Sequence, residues 1–121
     1  MIRLHLPFPP SVNSMYANGG NKRGRHKTAT YEAWIKLASI AIKDSHRQAL
    51  GPYSLSICLE PPDDRRSRDL GNLEKAVSDL LVMHGIVKDD RYCQRLVMTW
   101  GTGLPAPCVV LVQNAEEGMA A

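Results

Sequence analysis

At 121 residues, with 44% hydrophobic and 22% charged side chains, the chain has room for one domain with a modest core, better secured if a second subunit buries further surface. No apolar run approaches the roughly 20 residues a membrane helix needs, and Arg3, His5 and Pro7 interrupt any signal-peptide pattern. The net charge of +3 is too small to define a nucleic-acid binder by itself, so the distribution of charge carries the argument.

Ile2, Leu4 and Leu6 alternate with Arg3 and His5, which predicts a half-buried strand over residues 1–6 with His5 on its solvent side. Pro7, Pro9 and Pro10 end that strand and stiffen its exit. Residues 11–27 turn polar and glycine-rich, and Asn18-Gly19-Gly20-Asn21 is unable to hold a regular element. Lys22, Arg23, Arg25 and Lys27 cluster around His26. Residues 7–29 thus read either as a flexible basic arm that docks on DNA phosphates or as an ordinary solvated loop. Tyr16 fits base stacking and packing on the domain equally well.

Thr30 suits the N-cap of a helix reaching residue 49, where Gly51-Pro52 stops it. Trp34, Leu37, Ala38 and Ala41 mark one apolar face and Ile35 and Ile42 a second, which predicts cover from two sides, by a sheet and by another subunit. Tyr53, Leu55, Ile57 and Leu59 alternate with Ser54, Ser56, Cys58 and Glu60, a strand over residues 53–60. Past residue 90, residues 92–100 read as a strand, and residues 108–113, more continuously apolar, as a buried one. Gly101 to Pro105 supply the turn between them, and the tail from residue 114 has little to bury and should fray. Cys58, Cys93 and Cys108 are odd in number and lack metal-ligand spacing, which predicts reduced thiols in a cytoplasmic protein.

The stretch around which the rest is organised is residues 61–90, PPDDRRSRDLGNLEKAVSDLLVMHGIVKDD. Leu70, Leu73, Val77, Leu80 and Leu81 recur at helical spacing, so residues 69–84 read as an amphipathic helix with Asp69 at its N-cap and Gly85 at its stop. Asn72, Lys75 and Asp79 form a polar stripe on the opposite face, and Arg65, Arg66 and Arg68 stand just ahead of it. Acids and a lysine on one face, with arginines at the entrance, suit metal-assisted chemistry on a phosphodiester. The same residues also fit a solvated loop followed by an i,i+4 ion pair.

The run Asp-Arg-Arg-x-Arg-Asp-Leu-x-Asn-Leu-x-Lys-Ala over residues 64–76, followed by Gly85, Asp89 and Asp90, resembles the RusA family of Holliday junction resolvases. The opening Leu6-Pro7-Phe8-Pro9-Pro10-Ser11-x-Asn13 is similar to that family's first strand and proline turn, so the resemblance spans nearly the whole chain. It implies a homodimeric endonuclease, dependent on Mg²⁺ or Mn²⁺, that cuts four-way DNA junctions by paired symmetric nicks in recombination and repair, in a bacterial or phage setting. It further implies that Asp69 and Asp90 are metal ligands, with Asp89 a neighbouring acid, and that Lys75 offers its charge to the scissile phosphate. Arg65, Arg66, Arg68 and Asn72 would contact the DNA, joined by Lys22, Arg23, Arg25 and Lys27. One position departs from the family pattern. Gly71 stands where the family has an aspartate that binds metal. A water, Asp89 or Glu74 then takes over that ligand position, or the protein binds junctions with weak or lost cleavage.

The element order is strand, helix, strand, helix, strand, strand. That predicts a single α/β (α+β) domain over residues 1–121, with two main helices on a small mixed sheet of about four strands, in an intertwined homodimer. Lengths add one expectation. A helix over residues 69–84 is roughly 24 Å long, and residues 85–89 span at most about 20 Å. Asp90 should therefore meet the start of the equivalent helix in a second subunit more easily than its own Asp69.

Overall fold

The computed structural model describes residues 1–19, 24–63 and 69–115. Four strands form the main sheet: β1 (Ile2–Leu6), β4 (Tyr53–Leu59), β5 (Cys93–Trp100) and β6 (Cys108–Asn114). A short ladder joins β2 (Tyr16–Asn18) to β3 (Arg25–Lys27), and the helices are α1 (Ala29–Ser39) and α2 (Glu74–Met83). The sheet order is β1-β6-β4-β5. Antiparallel ladders join β6 to β1 and to β4, while β4 and β5 run parallel, with α2 in the crossover between them. This is the mixed α+β sheet with two helices that the element order predicts.

Period-2 alternation decides the faces. Tyr53, Leu55, Ile57 and Leu59 are buried beneath the helices, as are Ile2, Leu4 and Leu6 of β1. The central strand β6 buries Cys108, Val109, Val110 and Val112, which is why its sequence is nearly continuously apolar. Tyr31, Trp34 and Ala38 of α1 and Ala76, Val77, Leu80 and Leu81 of α2 complete the core. Among the described residues no helix is long and apolar enough to cross a membrane, and the three cysteines are free thiols.

Four boundaries differ from the sequence-based expectation, each for a local reason. Thr28, not Thr30, caps α1: its hydroxyl accepts from the Tyr31 N–H at 3.2 Å and donates to the Ser14 carbonyl at 2.6 Å. The second bond ties the cap to the preceding segment and selects Thr28 over Thr30. The helix then ends at Ser39 rather than residue 49, because Ile40, Ala41 and Ile42 switch to tighter i→i−3 bonds and a separate 3-10 turn forms at Asp44–His46. Leu37 and Ile40 are left 60% and 80% exposed, so the first expected flank is covered only at Trp34 and Ala38, while Ile42 of the second is buried. The basic loop is more ordered at its base than its composition predicts, since Tyr16 and Ala17 pair with Lys27 and His26. At the other end β6 runs through Asn114, and Ala115 is buried with its N–H on the Pro52 carbonyl at 3.0 Å; the rest of the tail lies outside the described residues.

Candidate active site

The entry to α2 is built by Asp69. Its carboxylate accepts from the Gly71 N–H at 3.0 Å and its carbonyl from the Asn72 N–H at 3.1 Å, closing a 3-10 turn over Leu70–Leu73. Asp69 is the expected N-cap, but the expected single helix begins as this tighter turn. An aspartate that bonds its own backbone two residues on competes with the α-helical pattern, and glycine at 71 contributes no helix propensity against it.

Lys75 lies at the centre. Its Nζ is 3.0 Å from Asp79 Oδ1, the i,i+4 pair, and 3.5 Å from Asp90 Oδ2. The hydrogen bond to Asp79 raises the Lys75 pKa above its usual value, and the charge of Asp90 adds to it. Lys75 is therefore a fixed cation at neutral pH rather than a proton acceptor.

Asp90 reaches Lys75 because the chain doubles back beside α2. Gly85, at φ +70°, forms a Schellman stop: its N–H bonds the Val82 carbonyl, and the Ile86 N–H bonds that of Leu81 at 2.9 Å. Ile86 and Val87 are buried, and their segment pairs with residues 49–50 through Leu50 N–H to Ile86 O and Lys88 N–H to Leu50 O. The α-helical part is only Glu74–Met83, about 15 Å at 1.5 Å per residue, so five or so extended residues bring Asp90 back to Lys75. Asp69 stands a further 3-10 turn away, across Leu70–Leu73, and lines a different cavity from Asp90. Asp89 caps the next 3-10 turn, and the Arg91 N–H on its carboxylate at 3.0 Å lowers its pKa.

Two cavities flank this stripe. One, of about 300 Å³, brings Asp79, Asp89 and Asp90 together with Lys27, Tyr16 and Tyr31. Arg25 stacks on the Tyr16 ring at 4.4 Å, and Tyr16 meets Tyr31 edge-on at 5.7 Å, so Tyr16 packs on the domain while holding a cation beside the acids. The other, of about 520 Å³, holds Asp69 and Asn72 against the proline turn and α1. Of the other residues expected to contact DNA, Lys22, Arg23, Arg65, Arg66 and Arg68 lie outside the described residues.

Sequence reasoning did not foresee a small third cavity of about 160 Å³ in which Asp90 faces Glu74, Ser78 and Cys93. Ser78 is buried and donates to the Glu74 carboxylate, a pairing that their i,i+4 spacing signals. Glu74 and Asp89 thus each share a cavity with Asp90, and neither lines the cavity of Asp69.

The oxygen donors of Asp69, Asp89 and Asp90 are of the hard type that Mg²⁺ selects, and Mg²⁺ is commonly held by one or two carboxylates with waters and phosphate oxygens. Asp89 and Asp90 line one cavity and Asp69 another. Among the described residues no three His, Cys, Asp or Glu stand together as an ion site. Gly71 bonds Asp69 through its backbone N–H and supplies no carboxylate of its own. A Cβ built there lies 3.5 Å from Asp69 Oδ1, an ordinary contact, so an acid at 71 would stand beside Asp69.

Acids, a fixed lysine and a cationic hairpin in one region suit chemistry on a phosphodiester. The family model for Endodeoxyribonuclease RusA matches residues 7–110. A crossover junction endodeoxyribonuclease RusA of Escherichia coli strain K12 is 37% identical over 91 residues, covering 72% of each chain. Proteins of the same description from Shigella sonnei and Enterobacteria phage 82 are 37% and 38% identical over the same length. The chain belongs to the RusA family of endodeoxyribonucleases.

Proposed function

We propose that the protein is a Mg²⁺-dependent endonuclease, active also with Mn²⁺, that resolves four-way DNA junctions as a cytoplasmic homodimer, placing symmetric nicks during recombination and repair. The observation that supports this reading best is the return of Asp90 to Lys75 in a chain of this family. It sets an acid and a permanent cation side by side at the head of α2, a few residues from Asp69. Asp69 and Asp90 would hold the ion. When bound, it supplies polarisation of the phosphoryl oxygen and activation of a water. Lys75, held by Asp79, presents its charge to the phosphate or the leaving oxygen. Asn72 supports the backbone contact, and Arg25 and Lys27 approach from the hairpin side to bind phosphates.

Gly71 supports a second reading: a junction-binding protein with weak cleavage. The family pattern has a metal-binding aspartate at that position. A synthetic four-way junction incubated with and without Mg²⁺ separates the two. Nicked strands that require Mg²⁺ and vanish in Asp69→Asn, with junction binding kept, support the nuclease. A retarded complex with intact strands at every Mg²⁺ concentration supports the binding protein. A chain that neither binds nor cuts junctions refutes both.

A further inference from the structure

The cavity beside Asp69 has a construction that the acids and Lys75 do not use. Its walls are flat and apolar: Phe8, Pro9 and Pro10 from the proline turn, Trp34 from α1 and Leu73 from the α2 entry. Those walls are held in place. Trp34 donates its indole N–H to the Pro7 carbonyl at 3.0 Å and stacks on Tyr31 with ring centroids 6.5 Å apart. Pro9 and Leu73 are buried. Ser11, Ser14 and Thr30 line the same cavity, together with Asn72 and Asp69.

Apolar faces with a polar edge are the surface pattern of a nucleobase, and about 520 Å³ lies within the range of cavities that enclose a small ligand. A stacked, paired base cannot enter; an unstacked one can. We propose that this cavity receives one nucleotide unstacked from the branch point, next to the phosphate that Asp69 addresses. Its base lies between Phe8 and the proline wall, and Asn72, whose carboxamide carries both a donor and an acceptor, faces the base edge. The inference rests on the junction-directed reading above and gives it a source of sequence preference: the base at one position beside the nick is read in the cavity, not in the duplex.

The test measures junction affinity in EDTA, so that cleavage plays no part. Junctions carrying a single abasic site at each position around the branch point are compared with the intact junction. One position should weaken binding about tenfold, the loss expected for one stacked base. Thr30→Trp places a bulky ring on an exposed position at the cavity mouth. It should weaken binding of the intact junction by the same factor and leave the matching abasic junction unchanged. Asn72→Ala should alter which base is preferred at that position and no other, and it covers the case in which Thr30→Trp fails to fold. A flat abasic scan on a bound junction, or losses from Thr30→Trp and the abasic site that multiply, overturns this inference alone. Failure to bind any junction better than duplex overturns the functional reading and this inference with it.

Discussion

Replacing Lys75 by methionine separates what the lysine does for folding from what it does for cleavage. The side chain of Lys75 is 46% exposed, and its partners Asp79 and Asp90 are 24% and 45% exposed. Ion pairs so open to water are screened and contribute about 0.2–1 kcal/mol each. Methionine keeps the apolar stem, so the substitution should cost about 1 kcal/mol and lower the melting temperature by roughly 3–6 °C. Loss of a fixed charge at the reacting phosphate costs much more, on the order of 10²–10³-fold in rate. Urea denaturation followed by tryptophan fluorescence gives the first quantity, and single-turnover cleavage of a junction at saturating protein gives the second. A raised lysine pKa also fixes the pH behaviour. Its stabilising charge is fully present below the ordinary lysine pKa of about 10.4 and is lost only as pH rises through the higher folded value. No inflection from Lys75 should therefore appear between pH 6 and 9. Cleavage within about fivefold of the parent, in a variant whose stability falls as stated, would refute the assignment of Lys75 to the transition state.

Three further substitutions test other parts of the structure. Gly71→Asp should leave stability nearly unchanged, because its Cβ meets Asp69 Oδ1 at 3.5 Å, and should raise cleavage more at low Mg²⁺ than at saturating Mg²⁺; equal gains at both would show that the missing carboxylate does not limit ion binding. His84 lies 2.8 Å from the Ser39 hydroxyl, and burial, with Arg47 adding to it, lowers its pKa, so the fold prefers the neutral ring. Stability on its account is complete above the unfolded histidine pKa of about 6.5 and declines as pH falls below it; His84→Gln should flatten that decline in thermal melts taken between pH 7 and 5. Glu60 accepts from the Gly103 and Leu104 N–H groups, both at 2.9 Å, so Glu60→Ala should cost about 1–3 kcal/mol, read as a lower urea midpoint at unchanged m-value.

The sheet was legible because its signals are periodic. Tyr53, Leu55, Ile57 and Leu59 can point only one way, and the unbroken Cys108-Val109-Val110 run fits only a strand with neighbours on both sides. Helix ends were less legible, since they answer to tertiary partners. Thr28 outranks Thr30 as a cap only because Ser14 lies within reach of its hydroxyl, and nothing within the local sequence announces Ser14. The β2–β3 ladder was hidden for a similar reason. Its residues carry no alternating apolar pattern, and the pairing is supported from outside by Tyr31 against Tyr16.

The position of Asp90 shows how far a motif reaches without a fold. The sequence displays the acids, the lysine and the glycine stop, and treating the helix and the following segment as two rigid lengths sends Asp90 away from its own Asp69. Two features bring Asp90 to its own Lys75. The Schellman bonds at Gly85 turn the chain through a left-handed residue instead of letting it run on. Ile86 and Val87 then enter the core, and the bonds to Leu50 draw the chain back along α2. The residues that aim Asp90 are thus hydrophobic or glycine, carry no chemistry, and sit where a reader looking for acids and bases has no reason to stop. It follows that a substitution such as Val87→Ala should disturb the Lys75–Asp90 contact from a distance. Cleavage would then fall further than the loss of stability explains, while the binding of junctions, which we assign to the basic residues, would be retained.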